Sequence, residues 1–168
     1  MDKTELNELF SKMNTGDKLA FSRIYSELKQ PVFTVALRIV TSRELAEDIT
    51  HDVFVKLFVS PPDACVKNAR AYIFQMARNL AIDALRKKPC DNIDELALKA
   101  KDSIAPVDTR LDIEKAISLL SRDEREIISL RLSAELSFAD ISRIIGLSLP
   151  AVYRRYRKAI NVLKTSLS

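Results

Sequence analysis

The chain has 168 residues, 47% hydrophobic and 30% charged, a composition that suits one domain or two small ones and excludes a fibrous or disordered chain. Its longest apolar stretch, 32–40, is interrupted by Arg38 and falls well short of the roughly 20 residues a membrane span needs. Net charge is +4 with a pI near 9.1, so where the basic excess falls is the first functional clue.

Asp2, Glu5 and Glu8 near the start are unlike the basic opening of a signal peptide, so a cytoplasmic location is expected. Cys65 and Cys90 are solitary, with no Cys or His at metal-ligand spacing, which argues against a zinc site or a disulfide framework. The single histidine, His51, has no nucleophile and orienting acid in a recognisable motif, and there is no glycine-rich phosphate or dinucleotide loop. No catalytic residue, metal or cofactor is expected.

In chain order, apolar residues recur three and four apart: Leu6, Leu9, Phe10 and Met13, then Ala20, Phe21, Ile24, Tyr25 and Leu28, then Val32, Val35, Ala36 and Ile39. The period is helical, and no segment alternates as a strand would. Pro31 suits a first helical turn, Thr41 with Glu44 has capping-box spacing, and Ser60, Pro61 and Pro62 stop the helix that begins near Ser42. Another helix is predicted over 68–87, ended by Pro89. Residues 89–108 carry two prolines, several acids and no sustained apolar face, the pattern of a flexible linker, with room for a helical turn or two over 93–100.

Beyond the linker, 111–120 is amphipathic, Ser121 with Glu124 makes a second capping box, and Ile127, Ile128, Leu130 and Leu132 continue the apolar pattern. A helix over 138–145, a turn containing Gly146, and a second helix capped by Ser148 with Pro150 in its first turn form a helix-turn-helix layout. The reading is all-α, with helical domains over 1–88 and 109–168 joined by the 89–108 linker.

Three helix faces carry functional signals. At about 100° per residue, the last helix puts Val152, Tyr156, Ala159 and Leu163 on one side and Tyr153, Arg154, Arg157, Lys158 and Lys164 around the other. Like charges three and four apart destabilise a helix by a few tenths of a kcal/mol per pair, a cost that an anion such as DNA would offset; a solvated basic face is the alternative. Arg155 lies nearer the core flank and is assigned to a phosphate or a local salt bridge.

The 68–87 helix is expected to bury Ile73, Met76, Ala77, Leu80 and Ala84, leaving Gln75, Arg78, Asn79, Ile82 and Arg86 opposite. Donors and acceptors around an apolar residue suit exposed bases, although a plain amphipathic helix looks similar; Asp83 with Lys87 reads as an intrahelical pair. The helix from Ser42 is expected to bury Ala46, Ile49, Val53 and Leu57 and aligns Glu44, Asp48 and Asp52 in an acidic stripe, with Lys56 placed to relieve Asp52. Capping by Glu44 explains part of that stripe, and docking of a basic protein is the functional reading.

The residues resemble the extracytoplasmic-function group of bacterial sigma factors, within the sigma-70 class. The resemblance rests on GDKLAFSRIYSEL (16–28), ALRIV (36–40), AEDITHDVFVKLF (46–58) and AYIFQMARNLAIDALRKK (71–88), similar to region 2, and on LLSRDEREIISLR (119–131) with SFADISRIIGLSLPAVYRRYRKAI (137–160), similar to region 4.

The resemblance implies a non-enzymatic subunit that binds core RNA polymerase, directs it to promoters and helps melt them. Asp48, His51, Asp52 and Phe54 match the polymerase-binding segment, which docks on basic helices of the largest catalytic subunit; His51 stands where the family usually has Gln. Gln75, Arg78, Asn79, Asp83 and Arg86 fall in the minus-ten segment, with a flipped non-template base held near Asn79. Ser148, Ala151, Tyr153, Arg154, Arg155, Arg157 and Lys158 fall in the helix that reads the minus-thirty-five element, where Tyr153 and Arg154 replace the usual Lys-Ser pair. An anti-sigma factor is an expected partner. The competing readings are a stand-alone dimeric helix-turn-helix regulator and, with only His51 behind it, a helical enzyme.

Overall fold

Leu6, Leu9, Phe10 and Met13 share one side of α1 (Lys3–Asn14), and that side is buried. The computed structural model describes residues 1–62, 66–87 and 107–168, where every regular element is an α-helix. The chain divides into two units, Met1–Pro89 and Cys90–Ser168.

In the first unit, a turn through Gly16, whose φ of 95° favours a residue without Cβ, leads from α1 into the 23-residue α2 (Lys18–Val40). Asp17 caps α2, its carboxylate accepting from the N–H groups of Leu19 at 2.9 Å and Ala20 at 3.2 Å. The helix packs against α1, α3 (Arg43–Val59) and α4 (Ala69–Lys87). Ile24, Leu28, Val32, Leu57, Ile73 and Phe74 form the centre of the core and are almost wholly excluded from solvent. At the start of α4, Asn7 of α1 accepts from the Ala69 N–H at 2.9 Å and Asn68 from the Ala71 N–H at 3.1 Å.

Pro31 opens no helix but lies inside α2. An internal proline costs about 3 kcal/mol, and burial of Leu28, Val32 and Val35 on both sides of it, at about 1.5–3 kcal/mol each, exceeds that. Thr41 does not cap α3: it is the C-cap of α2, in the left-handed region with φ 55°, and Ser42 is the N-cap of α3, its hydroxyl accepting from the Leu45 N–H at 3.4 Å. On α4 the buried strip is Arg70, Ile73, Phe74, Ala77 and Ala81, with Met76, Leu80 and Ala84 only half-buried. Contact with α1, α2 and α3 rotates and widens the strip beyond what one amphipathic face predicts.

The second unit comprises α5 (Val107–Ser118), α6 (Arg122–Leu132), α7 (Phe138–Ile145) and α8 (Leu149–Leu167). The first of these begins inside the segment read as linker, while the turn expected over 93–100 and the Pro89 stop lie outside the described residues. The Ser121–Glu124 capping box forms as expected. Gly146, with φ 80°, ends α7, and Ser148 caps α8 by accepting from the Ala151 N–H at 3.3 Å. A Ser142 hydroxyl bond to the Leu147 carbonyl at 2.6 Å fixes the turn between α7 and α8. Ile127, Leu130, Leu136, Ile141, Val152 and Ala159 fill the interior.

Candidate docking and nucleic-acid surfaces

On the outer side of α3, Glu44, Asp48, His51 and Asp52 are exposed, and no ion pair reaches Asp48 or Asp52 among the described residues. Lys56 does not pair with Asp52 among the described residues; a salt bridge on this helix joins Arg43 to Glu47 at 3.1 Å. Two unrelieved carboxylates four residues apart are costly on an isolated helix and suited to a basic partner.

Phe54 is not part of that surface. It is 3% exposed, with its ring 4.9 Å from Tyr25 and 6.5 Å from Phe21 in edge contacts. The residues that continue the face toward the helix end are Val55, Phe58 and Val59, which are 41%, 56% and 71% exposed. The sequence reading missed them, although steps of three and four from Asp48 and Asp52 lead directly to 55 and 59. The face is therefore acidic at its N-terminal end and apolar at its C-terminal end, with Phe21 supporting Phe58 at 5.1 Å.

On α4, Asn79 is exposed and Arg78 and Ile82 are half-buried beside it. The Gln75 amide donates to the Asn79 side-chain oxygen at 3.0 Å, which leaves the Asn79 NH2 group to donate outward. Asp83 pairs with Arg86, three positions on, at 4.0 Å, and not with Lys87 among the described residues.

On α8, Tyr153, Arg154, Arg157 and Lys158 are exposed, while Ala151 and Arg155 are half-buried. The Ser148 hydroxyl is engaged as the helix cap. Arg157 lies over the Tyr153 ring at 5.9 Å, and Tyr153 meets Phe138 of α7 edge-on at 5.5 Å, so both residues are steadied from the first helix of the motif. Arg155 forms the local salt bridge that was one of its two expected roles, with Asp123 of α6. Lys158 also turns toward α6, its Nζ 3.2 Å from Glu124. Burial opposes ionisation of Glu124, but the Ser121 N–H and hydroxyl together with Lys158 outweigh it and hold the carboxyl below its ordinary pKa. Arg154, Arg157, Lys158 and Asn161 border one shallow, open concavity.

These surfaces lie in segments that match known families. Residues 24–89 match sigma-70 region 2, and residues 110–162 match sigma-70 region 4. Among curated proteins, the chain is 23% identical to the ECF RNA polymerase sigma factor SigK of Mycobacterium tuberculosis, over 98% of this chain and 94% of that one. It is also 23% identical to the ECF RNA polymerase sigma factor SigW of Bacillus subtilis, over 96% of each. Two solved structures share the fold. One is the sigma factor RpoE of Bartonella quintana in complex with the anti-sigma factor NepR, with TM-score 0.70 and 22% identity over 88% of this chain and 96% of that one. The other is CnrH in complex with the cytosolic domain of CnrY, with TM-score 0.68 and 20% identity over 97% of each. A stand-alone dimeric regulator would account for a helix-turn-helix but not for region 2 ahead of it. With both regions present in order, the chain belongs to the extracytoplasmic-function group of the sigma-70 family and is a sigma factor that directs RNA polymerase to promoters.

Proposed function

We propose that this sigma factor divides its work among three faces of opposite character. Asp48, His51 and Asp52, continued by Val55, Phe58 and Val59, dock on a basic, partly apolar helical surface of the largest subunit of core polymerase. Phe54 acts from behind as the packing that holds this face in shape. Gln75, Arg78, Asn79, Asp83 and Arg86 meet the minus-ten element, where an unstacked non-template base is held beside Asn79; because only melted DNA offers that base, its capture favours the open state. Arg154 and Arg157, flanked by Tyr153 and by Ser148 and Ala151 at the helix start, face the minus-thirty-five element. Arginine bidentate to guanine is the commonest specific contact in a major groove.

The observation that carries this reading is the segregation of charge: unpaired carboxylates on the exposed face of α3, and outward arginines on α8. One suits a protein with basic helices and the other suits DNA. The domains are assigned as 1–88 and 109–168, with 89–108 between them. The protein acts in the cytoplasm and performs no covalent chemistry. Its regulator is an anti-sigma factor that covers these faces, a reading supported by the fold it shares with RpoE of Bartonella quintana, solved with such a partner.

Run-off transcription with purified core RNA polymerase, with and without this protein, on a library of promoter fragments tests the proposal. Specific starts that need the protein are expected, and Asp52→Arg is expected to abolish them by weakening core association. Tight binding to a palindrome without polymerase, and no starts with it, would overturn the reading.

A further inference from the structure

Four cations crowd one and a half turns of α8: Arg154, Arg155, Arg157 and Lys158. They do not have the same surroundings. Arg155 and Lys158 each reach a carboxylate at the start of α6, Asp123 and Glu124 respectively, whereas Arg154 and Arg157 have no carboxylate partner among the described residues. The acids are adjacent, and both belong to another helix.

Local roles account for only part of this. Acids in a first turn complement the helix dipole, and Glu124 closes the capping box by accepting from the Ser121 N–H at 3.0 Å. Neither role requires the acids to reach across to α8. Nor is stability a sufficient reason: α8 is already held by Val152 and Ala159, and pairs with one exposed member contribute little. The effect on DNA binding is larger in proportion. Each cation free to neutralise a phosphate adds about 0.9 to the slope of log K against log salt, and that contribution is blind to sequence.

We propose that Asp123 and Glu124 are specificity-determining residues of the DNA-reading helix, withholding Arg155 and Lys158 from sequence-independent phosphate binding and leaving Arg154 and Arg157 to read the promoter. The proposal rests on α8 facing DNA. The Glu124 side chain is 8% exposed and that of Lys158 is 72% exposed, so the acid is the fixed partner and the lysine is the mobile one. Loss of the charge at 124 therefore frees Lys158 toward solvent.

Glu124→Gln is the informative variant, because the Gln oxygen still accepts from the Ser121 N–H and keeps the cap. Holoenzyme assembled on core polymerase with wild-type or variant full-length chain is titrated with a promoter fragment and with a scrambled duplex over a salt series. The expected result is a slope on scrambled duplex steeper by about 0.9 and a promoter-to-scrambled affinity ratio reduced about two- to fivefold. Adding Lys158→Ala to Glu124→Gln removes the gain in slope. Asp123→Asn acts in the same direction through Arg155 and guards against any misfolding peculiar to position 124, with thermal melts as the control. An unchanged slope and ratio in both acid variants, or a shallower slope, overturns the proposal. Promoter binding unaffected by Arg154→Ala and Arg157→Ala is a different failure, since it removes DNA from α8 altogether.

Discussion

Phe54 and Phe58 stand one turn apart on α3 and have different surroundings: the first is 3% exposed against Phe21 and Tyr25, the second 56% exposed beyond them. Truncating the buried ring leaves a cavity, so Phe54→Ala is expected to cost about 3–5 kcal/mol and lower the melting temperature of the first unit. Phe58→Ala removes little packing, and its expected effect is weaker capture of core polymerase at near-wild-type stability. Thermal melts paired with polymerase pull-down separate the two, and an unchanged pull-down for Phe58→Ala would remove the apolar end from the docking face. Asn79 allows a second comparison at this scale. With its oxygen taken by Gln75, its NH2 group is what remains to donate, and the proposed base contact rests on it. Asn79→Asp keeps the acceptor and loses the donors, so holoenzyme binding to a single-stranded minus-ten oligonucleotide should fall about tenfold, a contact of about 1.4 kcal/mol, while core binding is unchanged.

Helix ends and helix faces are where local rules and tertiary packing compete. Ser42, not Thr41, carries the cap of α3, so Ser42→Ala should cost about 1 kcal/mol in a denaturant titration. Thr41→Ala should cost less, since it removes a β-branched residue from φ 55° and keeps the backbone N–H that caps α2; the opposite ranking would restore the Thr41 assignment as N-cap of α3. The cap of α6 has a pH signature. Glu124 titrates below the ordinary Glu value of about 4.3, so its contribution is complete above that value and is lost as pH falls through the depressed one. Between pH 6 and pH 3, wild type should therefore lose more thermal stability than Glu124→Gln. The all-α class and the helix-turn-helix were legible in the sequence because their signals are local: 3.6-residue periodicity, Gly146 at a left-handed end, and Ser148 with Pro150 at a start. The interior Pro31, the burial of Phe54 and the rotated strip of α4 were not, because each depends on how many neighbours a helix has. The acidic stripe and the outward arginines were legible as faces, but the partners of Arg155 and Lys158 sit on another helix, where no spacing rule points.

At the scale of the whole molecule, two small units bearing faces of opposite use are joined through a single chain, and engagement of one element raises the effective concentration of the other unit at its own. That gain exists only where both elements can be met at once. On the proposed assignment, the unit facing duplex DNA must, once the other is docked on polymerase, find its element on a particular side of the helix, and B-DNA turns once in about 10–10.5 base pairs. Inserting about five base pairs, half a turn, between the minus-ten and minus-thirty-five elements therefore presents the second element on the wrong side while leaving both sequences intact. Run-off transcription from such a promoter should fall to the level of one lacking the minus-thirty-five element, and Arg154→Ala should have little further effect on it. Insertion of a full turn should recover less than wild-type activity, because the side is restored but the span is lengthened by about 34 Å. Full activity at every spacing would mean that one unit carries promoter recognition alone, and the α8 arginines would then need another role.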